Sequence, residues 1–541
     1  MKTNRRNFIK TASLGSLGFG LLPHFTPFPQ EFLWDSIFNE NYPKMSFPRK
    51  SPESQGISSK GISDFIKAAN VSGLEWHSFM LLRHGNVVAE GWWKPFQSEF
   101  KHTLYSLSKS FTSTAIGLLV KEGKLSVEDP VLSFFKEDTP EAPSENLKAM
   151  KVKHLLTMNT GHDVDTMPKI REKTQQAWTK SFLEVPVVHQ PSTHFLYNTG
   201  ATYMLGAILH KITGQTLEQY LTPRLFQPLG ITDFDWEKSP QGLNTAGWGL
   251  RIKTEDIAKL GQLYLQKGKW QGKEILTEGW VNDATSKQTT SQAGDGDWAQ
   301  GYGYQFWRCK PNGLYRGDGA FGQYCIVMPE QDVVLAITGE SWNMQKSMTI
   351  AWETLLPAIS NTVLAENTYG TSRDNREGVA ALNNELKNLV IAIPKGSKQS
   401  SPSAKYDDKD FTLEKNVFGA DEAEFLFSKE GCTLEILTKE GEVKLKFGWE
   451  NWLLNKKIIK NPFNGGSWWT EMHVPSRIAG TATWLNDNTL QLTMKFVETI
   501  HSDTLTCVFD SDKVTISFLN SVSANTKGVD TRQKLAGILK K

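Results

Sequence analysis

The apolar pattern of this 541-residue chain changes period once, across a polar stretch near residue 400. Helix-spaced and strand-spaced segments alternate before that point, and short runs of strict apolar–polar alternation follow it. One polypeptide therefore carries two architectures. The stretch between them, Pro394-Lys395-Gly396-Ser397-Lys398-Gln399-Ser400-Ser401-Pro402-Ser403, is polar, rich in Pro, Ser and Lys and without period, which reads as a linker. We expect a signal segment over 1–30, a first domain over 31–390, a linker over 391–409 and a β-rich C-terminal domain over 410–541.

In the first domain, Ser58 precedes a helix-spaced apolar run, and His77 to Arg83 and Val87 to Trp93 read as strands around a His84-Gly85-Asn86 turn. Helical signals dominate from Ser106 to about Leu225, including an apolar helix over Ala201 to Thr213 that stops near Gly214. Tyr302 to Arg308, Gln323 to Met328 and Val333 to Thr338 read as strands, and a helix over Met344 to Ala358 follows. This order predicts an α+β fold: an antiparallel sheet flanked by helices, an all-helical lobe, and a cleft between them. Beyond the linker, the alternating runs Thr433 to Leu437, Val443 to Phe447, Thr481 to Trp484, Thr489 to Phe496, Thr504 to Phe509 and Lys513 to Phe518 predict a small all-β barrel or sandwich.

The N-terminus pairs Arg5 with Arg6, adds Phe8 and Lys10, and runs into a weakly apolar segment over Thr11 to Leu22. That pattern resembles a twin-arginine export signal rather than a chance basic start, and it is too short and too rich in Gly and Ser to span a membrane, with no Cys for a lipid anchor. It predicts a bacterial protein exported folded to the periplasm or beyond. Lys and Arg total 60 against 58 Asp and Glu, so no charge footprint for nucleic acid or an anionic membrane is present. The four cysteines have no CxxC spacing for zinc; Cys309 and Cys325 flank one Gly-rich turn, where a pair across neighbouring strands competes with two buried thiols.

The chemistry centres on Tyr105-Ser106-Leu107-Ser108-Lys109 at the start of a helix. Ser106 and Lys109 stand one turn apart on one face. A serine hydroxyl needs a base in reach, and a desolvated lysine loses its proton near neutral pH and serves as one. Helix N-terminal N–H groups then stand where an oxyanion forms. Ser108 has only Phe111 three places on, which is no base. Further along, Phe195-Leu196-Tyr197-Asn198-Thr199-Gly200 opens an apolar helix, and Tyr197 can relay a proton or simply cap the loop. Gly317-Asp318-Gly319-Ala320-Phe321-Gly322-Gln323 enters a strand, either as a plain hairpin turn or as a close approach of backbone to a ligand with a second oxyanion donor.

In this order the motifs resemble the serine β-lactamase and penicillin-binding-protein superfamily, and within it the class C branch. His154-Leu155-Leu156-Thr157-Met158-Asn159-Thr160-Gly161, Pro228-Leu229-Gly230-Ile231 and Trp248-Gly249-Leu250 add to the likeness. The chain is most similar there to 6-aminohexanoate-dimer hydrolases and related esterases, with their Phe-x-Tyr-x-Ser and Gly-x-x-Gly-Gln shapes, over about residues 50–365. The resemblance implies Ser106 as acylated nucleophile, Lys109 as general base and Tyr197 as proton relay. It implies an oxyanion hole from the N–H groups of Ser106 and Ala320, with Gly319, Asn198, Thr199 and Gly322 completing the substrate site, and no metal or organic cofactor. Thr199 replaces the usual Ser, and no Lys-Thr-Gly precedes the strand. An acidic Asp318 near that spot repels an anion, which points away from β-lactams and D-Ala-D-Ala peptides toward another small amide or ester.

Three other features compete. His162-Asp163-Val164-Asp165 has metal-ligand types on a short loop, which are more often solvated. Trp92, Trp93, Trp178 and Trp248 are either buried or cleft-lining, and Trp468, Trp469 and Trp484 either pack between sheet faces or form a ligand platform. The rival functional reading is a catalytically idle binding or scaffold protein of the cell envelope. The intact Ser106, Lys109 and Tyr197 set argues against it. No oligomeric state follows from the sequence.

Overall fold

The computed structural model describes residues 46–173, 175–359, 373–439, 441–463 and 474–540. Lys44–Lys541 form one compact unit. Met1–Pro43, and with it the export motif, lies outside the described residues.

Six strands form an antiparallel sheet: β1 (Glu75–Arg83), β2 (Asn86–Trp92), β3 (Trp307–Arg308), β4 (Tyr315–Gly319), β5 (Gln323–Met328) and β6 (Val333–Glu340), ordered β2-β1-β6-β5-β4-β3. His84 and Gly85 join the first hairpin with φ of 49° and 73°, the left-handed pair that a tight two-residue turn demands. Alternation sorts the strands' side chains into two cores. Phe79, Leu81, Tyr324, Ile326, Leu335 and Ile337 face one way. They pack with α1 (Ser59–Val71), started by the Ser58 cap, and with α5 (Met344–Ala358). Met80, Leu82, Cys325, Val327, Val334 and Ala336 face the other way. There they join α2 (Ser108–Lys121), α3 (Thr199–Thr213), α4 (Thr254–Leu265) and the short helices of the lobe. Gly61 lets α1 and α5 touch, because a Cβ there would lie 2.1 Å from that of Ala358.

One open alternative is decided and one expectation is corrected. Cys309 and Cys325 are free, buried thiols in opposite cores, one on each face of the sheet, so they cannot pair. The strand read over Tyr302 to Arg308 shrinks to Trp307–Arg308. Gln305 turns the backbone with φ of 64°, and Gly303 lies so close to Ala284 that a Cβ would be 2.1 Å from its carbonyl oxygen.

The C-terminal strands are β7 (Lys409–Leu413), β8 (Ala420–Phe427), β9 (Gly431–Thr438), β10 (Gly441–Trp449), β11 (Leu453–Ile459), β12 (Ser476–Asn486), β13 (Thr489–Phe496), β14 (Ser502–Asp510), β15 (Lys513–Asn520) and β16 (Leu535–Leu539). They pair in the order β10-β9-β8-β7-β16-β15-β14-β13-β12-β11. A parallel contact, Gly448 with Thr481 and Trp449 with Ala482, joins β10 to β12 and closes a barrel. β11 hangs beside β12 outside the ring. Inward residues such as Phe411, Phe425, Leu434, Leu492, Phe509 and Ile516 fill the interior. Trp484 is part of that filling, between Phe427 and Phe509; Trp468 and Trp469 lie outside the described residues.

Barrel and sheet share core and polar contacts. Ala479 and Val497 of the barrel belong to the same apolar cluster as α1 and β1. Lys495 of β13 donates to both carboxylate oxygens of Glu75 at 2.6 Å. The polar stretch after residue 394 is strapped to the barrel, Ser397 and Trp484 exchanging backbone bonds of 2.9 and 2.8 Å.

Candidate active site

The Ser106–Lys109 motif lies where the sheet meets the helical lobe. Leu104 N–H donates to Leu250 O, and Tyr105–Leu107 then make one 3₁₀ turn that runs into α2. Tyr105 holds a φ of 46°, a strained region for a bulky residue that persists only where its surroundings fix it. The turn presents Ser106 half-buried while Lys109, one turn on, is almost wholly buried at 1% exposure. Lys109 Nζ donates to Ser106 Oγ at 3.1 Å and to Gly247 O at 2.7 Å. Burial of the amine lowers its pKa to about 7 against the pull of Asp165 and Asp318. A large fraction of the amine is therefore neutral near pH 7, within hydrogen-bond reach of the serine.

Tyr197 completes the group. Its ring lies 5.1 Å from Lys109 Nζ and stacks on Trp307 at 5.6 Å, and its hydroxyl is near enough to Ser106 for the two side chains to interact. Burial first, and Asp318 second, push the phenol above its ordinary range, so it stays protonated and acts as a donor. Asn198 and Thr199 are placed differently. Asn198 is fully buried as the cap of α3; its carboxamide oxygen accepts from Ala201 N, Thr166 N and Thr166 Oγ1 and its amide approaches Thr160 and His162. It builds the loop and has no polar atom left for a substrate. Thr199 packs toward Gly247, and its N–H donates to Asp165 Oδ1 at 2.9 Å.

The Gly-rich segment ends β4 against the serine turn. A Cβ on Gly319 would lie 2.0 Å from Leu104 O and 3.1 Å from Leu107 N, so only glycine permits the approach. Ala320 and Phe321 form the tight turn to β5, with φ of 64° at Phe321 and 89° at Gly322. Gln323 pins that turn: its amide donates to Ala320 O and Gly339 O, and its oxygen accepts from Gly339 N–H. Asp318 forms an ion pair with fully buried Arg316 at 3.0 Å. The repulsion of anions expected from Asp318 is thereby offset, and the pair presents no net charge.

The loop read as a metal candidate is split. His162 is buried and bonds Thr160, while Asp165 accepts from Met167 and Thr199 N–H groups. Asp163 instead meets His189 and His194, with donor atoms within 4.8 Å of one another, at the half-exposed surface of the lobe. These donor types suit a divalent ion. Trp178 and Trp248 stack on each other at 6.0 Å and are buried, so neither lines an open cleft. Asp165, Gly247, Trp307 and Gln323 support the site without having been singled out for it. Gly247 and Gln323 had a signal in the glycine-spaced Ala246-Gly247-Trp248-Gly249 and the Gly-x-x-Gly-Gln shape.

Residues 68–356 match the model of the Beta-lactamase family, more than half of the chain, and the protein belongs to that family of hydrolases. It is 25% identical over 288 residues to 6-aminohexanoate-dimer hydrolase of Paenarthrobacter ureafaciens, covering 49% of this chain and 72% of that protein. It is 21% identical over 317 residues to a Beta-lactamase of Escherichia coli, covering 48% and 81%. Among solved structures, the octameric penicillin-binding protein homologue from Pyrococcus abyssi is similar at 16% identity and a TM-score of 0.46, covering 88% of this chain and 99% of that one.

Proposed function

We propose that the protein is an exported serine hydrolase that cleaves a small, uncharged amide or ester through an acyl-enzyme on Ser106. The observation that carries this reading is a buried amine 3.1 Å from a half-exposed serine hydroxyl, with its pKa brought to about 7. Neutral Lys109 takes the proton as Ser106 Oγ attacks the carbonyl carbon. The N–H groups of Ser106 and Ala320 receive the oxyanion. Tyr197 passes its proton to the leaving amine or alcohol and takes the proton held by Lys109 in its place. Water then adds to the acyl-enzyme, and Ser106 Oγ leaves with a proton returned through Lys109 and Tyr197.

Arg316 is fully buried and neutralised by Asp318, so it offers no free cation to hold the carboxylate of a β-lactam or a D-Ala-D-Ala peptide, which supports an uncharged substrate. The likeness to 6-aminohexanoate-dimer hydrolase supports small-molecule hydrolysis, and the class C assignment rests on the motifs alone. Arg5 and Arg6 support export by the twin-arginine route.

The test is p-nitrophenyl acetate hydrolysis by the mature protein beside Ser106→Ala, with intact mass after a fluorophosphonate. We expect turnover and one adduct, both lost in the variant. An adduct on Ser106→Ala would move the nucleophile elsewhere. No adduct on either protein would favour the binding-protein reading.

A further inference from the structure

The barrel reaches the serine turn through one loop. Between β13 and β14, Glu498-Thr499-Ile500-His501 projects onto the segment around Ser106. Ile500, fully buried, clusters with Tyr105, Phe321 and Ala320. His501 is 1% exposed in its side chain, and Glu340, at the end of β6, is 3% exposed. His501 Nδ1 lies 2.9 Å from Glu340 Oε1, and His501 Nε2 lies 2.7 Å from Tyr105 Oη. A carboxylate only accepts, so Nδ1–H donates to Glu340, and Nε2 then accepts from the tyrosine hydroxyl. The rings agree: Phe321 stands edge-on to His501 at 4.9 Å and to Tyr105 at 5.3 Å.

This loop holds two strained residues. Tyr105, with φ of 46°, immediately precedes Ser106, and Phe321, with φ of 64°, immediately follows Ala320. Left-handed aromatic residues persist only when over-determined by their neighbours. The loop is itself fixed: Val497 N–H donates to Arg477 O, and Arg477 N and Nη1 both donate to Glu498. We propose that the β13–β14 turn is a built-in part of the hydrolytic site, and that His501 is a positioning residue which, anchored by Glu340, sets the backbone of the serine turn through Tyr105. His501 contacts no reacting atom. It acts on the aim of Ser106 Oγ and of the Ser106 N–H, where a shift near 1 Å costs on the order of a hundredfold in rate.

This inference rests on Ser106 being the nucleophile, and the experiment separates the two. The rate of fluorophosphonate labelling and the kcat and KM for p-nitrophenyl acetate are compared for the full chain, Tyr105→Phe, His501→Ala, His501→Gln and Tyr105→Phe with His501→Ala. Tyr105→Phe removes one oxygen and keeps every ring contact. We expect it to slow labelling and kcat about tenfold or more with KM within about twofold. His501→Ala falls at least as far, His501→Gln recovers part of the loss by restoring an acceptor, and the double variant is no slower than His501→Ala. Labelling rates within about twofold of the parent in both single variants, or losses that multiply in the double variant, overturn the positioning role. Ser106 unlabelled in the parent protein overturns the nucleophile reading and this one with it.

Discussion

Lys109 stands 138 positions from Gly247, whose carbonyl it bonds, and its chemistry is set by where its amine sits rather than by its neighbours in sequence. Burial brings the amine to about 7, so the neutral form that can accept the Ser106 proton grows as pH rises through that value. Acylation by p-nitrophenyl acetate should rise with pH along a single limb near 7 and level above it. Lys109→Ala should cut kcat by about 10²–10⁴-fold and erase that limb, and Tyr197→Phe should slow turnover while leaving it in place. A limb that survives in Lys109→Ala would assign the base elsewhere. Ser106, Lys109 and Tyr197 were legible because local spacing fixes the first pair and a motif the third. Asp165 and His501 were not, since each is brought in by a fold contact from far along the chain. Asn198 shows the converse: its motif position suggested a substrate contact, but a buried helix N-terminus claims its side chain.

The element that most tightly constrains the site is β4, which ends on Gly319 with Leu104 O and Leu107 N in contact. Gly319→Ala puts a Cβ where backbone already stands, and neither the strand nor the serine turn has a flexible side chain that can yield. We expect destabilisation of about 1–3 kcal/mol, read as a lower thermal midpoint, with labelling of Ser106 slowed about a hundredfold. Parent-like labelling would show that the strand end does not set the serine turn. Elements with a one-sided apolar period were legible nearly to the residue: the helix expected over Met344 to Ala358 is α5, and the β1–β2 hairpin stands where its turn residues put it. β8 and β11 went unread because register shifts at Ala420/Glu422 and Asn455/Ile458 set Asp421 beside Glu422, and Lys456 beside Lys457, on the outer side and break the alternation. β16 is five residues long and joins the ring only through pairing with β7 and β15, a fact of closure that local pattern does not carry.

At the scale of the molecule, the change of period near residue 400 marks two architectures but not two independent bodies. A buried chain of polar groups crosses the seam: Lys495 on the barrel to Glu75, Glu75 to His77 Nε2, His77 Nδ1 to His102 Nε2, and His102 Nδ1 to Thr103 O, three residues before Ser106. Burial opposes ionisation of Glu75, but Lys495 and His77 overcome it and hold the carboxyl at about 2. Burial lowers His77 and, further, His102 below the ordinary histidine range. In all three the folded pKa lies below the unfolded one, so the unfolded chain takes up protons first as the solution is acidified. Their stabilisation is complete at neutral pH. Loss begins as pH falls below about 6.5, where the histidines of the unfolded chain protonate, and Glu75 adds on the order of 2 kcal/mol between about 4.5 and 2. The thermal midpoint of the full chain should therefore fall steadily below pH 6.5, with barrel and sheet unfolding together because Ala479 and Val497 of the barrel are buried in the core of α1 and β1. Lys495→Met strands Glu75 without its cation, which should lower stability at pH 7 by about 3–5 kcal/mol and flatten the acid limb below 4.5. A midpoint for Lys495→Met equal to that of the parent at pH 7, or a barrel that melts in a separate transition, would show that the seam is a contact between two autonomous domains.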